Sequence, residues 1–284
     1  MIYGLIGLFI RYVEMPSEAI AMYRGLLGAA FLLVYMKCRG MKLDTEAIRR
    51  NLKWLVLSGV CLGLNWLFLF GSYTQTTVAI GSLCNYTAPM IVVLIAPLVL
   101  GVKFEVRKLP FILLSFAGVV LISGVFDGGA AGGAGEYNHV LGVVLGLGAS
   151  LAFVGILICN KKFEEIGFID RAFMQLAVSA CVTLPYTAFM NKGIPLPGDL
   201  QELAAILTVG IVFTGCAYIF FFTGVGSLPV ETIAILGYLE PVVAILSSLV
   251  FLHEPMTLFG WAGAALILGS AVITELMPEQ ADRS

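Results

Sequence analysis

Glu240 and Pro241 stand side by side inside the apolar run "ILGYLEPVVAILSSLVFL", residues Ile235 to Leu252. An ionisable side chain at the centre of a bilayer costs about 2.5–3.5 kcal/mol on insertion scales, so its retention calls for a partner or a water-filled cavity. On a helix, Glu240 falls about 16 Å from the end of its run, close to a membrane midplane. Pro241 has no N–H to give and leaves a carbonyl near Gly237 without its helical donor, which gathers acceptors beside the carboxyl group. Two roles fit. The pair lines a polar cavity in which Glu240 exchanges a proton or holds a substrate ammonium, or Glu240 is a brace locked to a neighbouring helix.

Arg24 lies about 11 Å inside its own apolar run. The planar fork of its guanidinium suits a substrate carboxylate; snorkelling, or a fixed ion pair with Glu240, accounts for it equally well. Gln175 holds the corresponding place in the second half of the chain. Asn65, Trp66, Asn85, Tyr86 and Tyr238 fall at a similar depth to Glu240. Buried Tyr and Trp offer an apolar face with one hydrogen-bonding tip, while Asn also commonly bridges helices. These eight residues are the candidate substrate or coupling set, with Pro89 and Pro241 as the expected helix kinks. Glu254, followed by Pro255, is expected to cap the helix that follows it, with a gate as the alternative. The six cysteines are scattered and the two histidines stand apart, so no metal site is expected. No phosphate-cradling G-x-x-x-x-G-K-[ST] loop occurs, and no cofactor is expected.

These residues must be carried by membrane-spanning helices. Of the 284 residues 60% are hydrophobic and 12% charged, which excludes an ordinary soluble globule, and no basic face suggests nucleic acid. Runs of the roughly 20 apolar residues that a spanning helix needs lie near 17–36, 53–72, 76–100, 107–125, 139–160, 170–190, 202–223, 229–252 and 256–276. The shorter run Met1 to Val13 counts as a tenth span that lacks its first turns. Lys and Arg gather in alternate loops, at Lys37 to Lys53, Lys103 to Lys108 and Lys161 to Arg171, which puts both termini in the cytoplasm.

The Gly/Ala-rich stretch 126–138 divides the chain into halves, 1–125 and 139–277, followed by a polar tail, 278–284. A shift of 152 positions aligns Phe68 with Phe220, Tyr86 with Tyr238 and Pro89 with Pro241, a weak internal repeat. Five spans per half make the second repeat enter the membrane inverted, the arrangement of secondary transporters with midplane sites. The expected fold is thus an all-α polytopic membrane protein of ten transmembrane helices in two inverted five-helix repeats.

The two halves, with "RGLLGAAFLL", "VAIGSLCNYTAPMIVVL" and "ETIAILGYLEPVVAILSSLVFLHEPMTLFGWAGAALILGSAVI", resemble the EamA-like drug/metabolite transporters over nearly the whole chain. The two Glu-Pro pairs are the most specific part of that resemblance. Lys103 departs from it, standing near where the first repeat often has a Glu matching Glu254. The resemblance implies a carrier of the bacterial inner membrane exporting amino acids or other small metabolites, in contact with lipid and driven by protons or by exchange, rather than an enzyme. An intramembrane enzyme on lipid-linked substrates and a non-transporting receptor or scaffold are the competing readings.

Overall fold

The computed structural model describes residues 5–11, 13–101, 104–123, 138–220 and 230–277, with the backbone alone for Arg11 and residues 230–238. Lys103, the linker 126–137 and the tail 278–284 lie outside the described residues. The described residues form helices and no strand: α1 (Ile6–Arg11), α2 (Ser17–Cys38), α3 (Thr45–Gln75), α4 (Val78–Asn85), α5 (Ala88–Leu100), α6 (Leu109–Ile122), α7 (His139–Asn160), α8 (Phe168–Met190), α9 (Leu200–Leu207), α10 (Val230–Val250) and α11 (Leu258–Leu276). α9 passes into a π-helical stretch, Thr208–Cys216. Among the described residues seven stretches are long and apolar enough to cross a membrane, with α4 and α5 together making one of them. α6, with 14 residues, and α1, with six, are shorter than the roughly 20 that a bilayer core asks for.

Helix starts are set by side chains that accept from otherwise orphaned amides. Asp44 accepts from Ala47 N before α3, Asn138 from Leu141 N before α7, and Asp199 from Glu202 N before α9. Thr77 serves α4 through Ile80 N, and Thr257 serves α11 through Gly260 N at 3.0 Å. The cap expected of Glu254 on α11 is therefore supplied by Thr257. The Glu254 carboxylate instead accepts from Val78 N, 3.0 Å away at the start of α4, and from the Ser248 hydroxyl.

The two Tyr-x-x-Pro segments behave differently. Before Pro89 the regular ladder lapses at Tyr86 and Thr87, where the Thr87 amide turns to the Cys84 carbonyl three residues back, so one apolar run becomes two helices, and Pro89 sits in the first turn of α5 where its missing N–H costs nothing. Pro241 is carried inside α10.

α3 is the central helix, packing against α7, α8, α2 and α4, while α6 and α11 form a pair of their own. Trp66, Phe70, Leu176 and Val209 fill one core; Leu83, Ile122, Ile245 and Ile267 fill a second. Large apolar side chains such as Leu98, Leu113, Val144 and Phe189 point outward, whereas Ser58, Asn65, Ser72, Thr87 and Ser150 are buried. Outward apolar and inward polar is the pattern of a protein whose solvent is lipid.

Close approach of α7 to α3 and α4 depends on glycine: a methyl group at Gly146 would come within 2.6 Å of Cys84 Cβ. Gly269 has nothing within 4 Å of the corresponding position. Gly146→Leu should therefore cost about 1–3 kcal/mol through forced repacking. Gly269→Ala should gain about 0.5–1 kcal/mol from helix propensity. Thermal unfolding of the two purified variants in detergent should move their midpoints in opposite directions.

Candidate functional site

A small cavity opens where α3, α4 and α10 meet, lined by Leu69, Tyr73, Ser82, Asn85, Tyr86, Glu240 and Ala244. The break after Asn85 turns the Tyr86 side chain into it, and the Glu240 carboxyl group is in hydrogen-bonding contact with Tyr86. Tyr73 and Ser82 share a hydrogen bond of 2.9 Å across the wall formed by α3 and α4. Leu69 and Ala244 complete the lining with apolar surface. One carboxyl group, two phenols, a hydroxyl and an amide thus surround a space between two helices of the first half and one of the second.

Asn65 stands behind this wall. Its Nδ2 donates to Asn85 Oδ1 at 3.0 Å and to the Ala149 carbonyl at 2.8 Å, joining α3 to α4 and α7. With Asn85 Oδ1 engaged from behind, the Asn85 amide is held in one orientation beside Tyr86.

Arg24 is buried on α2, away from the lining. Its Nε donates to Thr214 Oγ1 at 2.9 Å, and its guanidinium lies 4.3 Å over the Trp66 ring and 5.8 Å from that of Phe70. Thr214 in turn donates to the Val209 carbonyl five residues back, a bond that the π-helical stretch makes available. Phe70 in turn lies 6.1 Å from the Tyr73 ring of the lining, so Arg24 and Trp66 form a cationic layer behind the cavity wall.

Of the residues expected from sequence, Asn85, Tyr86 and Glu240 meet at the cavity, and Asn65, Trp66 and Arg24 form the shell behind it. Gln175 is not brought there: its Nε2 donates to Ser58 Oγ at 3.0 Å and Asn160 Oδ1 at 3.1 Å, which ties α8 to α3 and α7. The Tyr238 side chain lies outside the described residues. Tyr73, Ser82 and Thr214 were not singled out in the sequence. Tyr73 lies seven residues after Trp66, and so on the same face of α3, which was the available signal. Among the described residues no three His, Cys, Asp or Glu side chains converge in a way that could hold a metal ion.

A sequence model of the EamA-like transporter family matches residues 1–124 and 140–276. Among curated proteins the chain is similar to the uncharacterized transporter YxxF of Bacillus subtilis (strain 168), with 25% identity over 96% of this chain and 86% of the relative. It is also similar to an uncharacterized transporter of Archaeoglobus fulgidus, with 27% identity over 94% of this chain and 90% of the relative. Protein RarD of Streptomyces exfoliatus is 24% identical over 79% of this chain and 67% of its own length. A protein crystal structure with 20% identity superposes with a TM-score of 0.66 over 97% of this chain and 93% of that one, a likeness of fold.

Replacing Asn65 by Ala leaves the Ala149 carbonyl and Asn85 Oδ1 without their shared donor. A loss of about 1–3 kcal/mol is expected, because buried groups lose partners that lipid cannot replace. Unfolding midpoints in detergent should show Asn65→Ala well below wild type and Gln75→Ala, at the exposed end of α3, close to it.

Proposed function

The chain belongs to the EamA-like transporter family, and on that premise we propose that it is a secondary carrier exporting a small organic solute, such as an amino acid or related metabolite, by alternating access. The proposed architecture is ten spans in two inverted repeats, residues 1–125 and 139–277, joined by the linker 126–138 and followed by the tail 278–284. Both termini lie in the cytoplasm of a bacterial inner membrane. The solute occupies the cavity between α3, α4 and α10.

The observation that carries this reading is the meeting of Glu240 with Tyr86. The repeat-related segments "NYTAP" and "GYLEP", far apart in sequence, lie beside one another at the only acid of the described cavity lining. Midplane sites at the junction of two repeats, beside an interrupted helix, are a recurrent feature of secondary carriers. Glu240 is the coupling group, taking up a proton or holding the ammonium of the solute. Asn85, Tyr73 and Ser82 supply neutral donors and acceptors, and Leu69 and Ala244 receive the apolar part of the solute. Asn65 and Trp66 hold the wall. Arg24 stabilises negative charge in the cavity from behind that wall, and Tyr238 is assigned to the same group from its place in the repeat. Gln175 fixes α8 to α3 and α7 and has no part in binding.

Purified protein in liposomes, loaded with a panel of amino acids and amines, should release at least one of them, faster when a proton gradient is imposed. Glu240→Gln should slow that release about tenfold or more, the effect of removing an interaction worth about 1.4 kcal/mol. Unaltered release in a folded Glu240→Gln protein would remove the coupling role. Absence of flux for every solute in the panel, with and without the gradient, would count against transport of this class.

A further inference from the structure

α4 is held at both ends by acids that flank the second half of α10. At its start the Glu254 carboxylate accepts from the Val78 amide at 3.0 Å and from the Ser248 hydroxyl, bonds that tie the turn after α10 to the first half of the chain. At its far end Tyr86 and Glu240 face the same cavity. The eight residues between make a rigid rod about 12 Å long. Its hydrogen-bond ladder is interrupted from α5 by the break at Tyr86 and Thr87, and from α3 by extended backbone at Thr76. Ser82, in the middle of the rod, bonds Tyr73 within the cavity wall.

The turn at the outer end of the rod is held in an unusual conformation. His253 has φ +52°, a left-handed geometry that side chains other than glycine seldom adopt. Such geometry persists where surrounding contacts determine it, and the Glu254 carboxylate, with the Glu254 amide donating to the Ser248 carbonyl, supplies those contacts. The same end is closed by Thr76 Oγ1 on His139 Nδ1 and by Ser72 Oγ donating to the Gly142 carbonyl.

We propose that α4 is a coupling strut: what occupies the cavity between Glu240 and Tyr86 moves α4 as a unit and so makes or breaks the bond of Glu254 to the Val78 amide, opening or closing that end of the bundle. This rests on the transport reading above and adds the device by which the cavity would control access to itself.

Amide hydrogen exchange of the full chain in lipid nanodiscs, resolved by residue, tests it. Glu254→Ala should speed exchange at Val78 and its neighbours about tenfold. Glu240→Gln, about 12 Å away along the rod, should shift exchange of the same amides by about threefold or more. Tyr86→Phe, which alters the cavity end while keeping the ring, should do likewise should Glu240→Gln not fold. Thr257→Ala, which loosens the first turn of α11 in the same region, should leave the α4 amides unchanged. Effects of the Glu240 and Tyr86 variants confined to residues 85–88 would overturn the strut, as would an equal loosening of α4 by Thr257→Ala. Coupled exchange in a protein without flux would remove the transport reading and leave the strut standing; flux without coupled exchange would remove the strut alone.

Discussion

Hydrocarbon offers neither donors nor acceptors, so each polar group that enters it must find its partner within the chain. Several buried side chains meet that demand in ways that also set the architecture. Asn65 joins α3, α4 and α7 with one amide nitrogen, Gln175 joins α8 to α3 and α7 with its own, and Thr214 serves both Arg24 and a backbone carbonyl. In water such bonds would be exchanged for solvent at small net gain. In lipid the unpartnered alternative is far more costly, which makes them determinants of which helices lie side by side.

The same constraint explains why one apolar run can be broken. A free carbonyl in lipid would be prohibitive, yet the interruption after α4 lies inside the bundle and supplies its own partners. The Thr87 hydroxyl donates to the Cys84 carbonyl and shares a hydrogen bond with Ser150 of α7. This irregular backbone thus lies at the place where the cavity forms. Arg24 obeys a related logic: a buried cation is tolerated because an aromatic face and a hydroxyl replace its water.

Much of this is legible in the sequence. Long apolar runs carry their own length signal, and a carboxyl group beside proline within one of them is conspicuous, so depth alone groups Glu240 with Asn85 and Tyr86, which line one cavity. Residues that act through a partner remote in sequence are not legible in this way. Glu254 beside Pro255 reads as a local cap, but its acceptor role falls 176 positions away on Val78. Thr214 depends on the π-helical stretch, which shifts the faces of the helix out of the 3.6-residue period that sequence reading assumes. Gln175 matches Arg24 by its place in the second half of the chain, yet a shared place in the sequence does not dictate a shared neighbourhood: its amide is taken up by Ser58 and Asn160.

α3 runs for 31 residues, about half as long again as the roughly 20 that a hydrocarbon core requires. Its surplus turns carry Arg49, Arg50 and Lys53; the Lys53 ammonium lies 5.0 Å over Trp54, and Arg50 pairs with Glu164 beyond α7. Those turns stand at and beyond the edge of its apolar run near 53–72, so the helix that forms one wall of the cavity also reaches past the hydrocarbon, where an exposed ion pair joins it to the segment between α7 and α8.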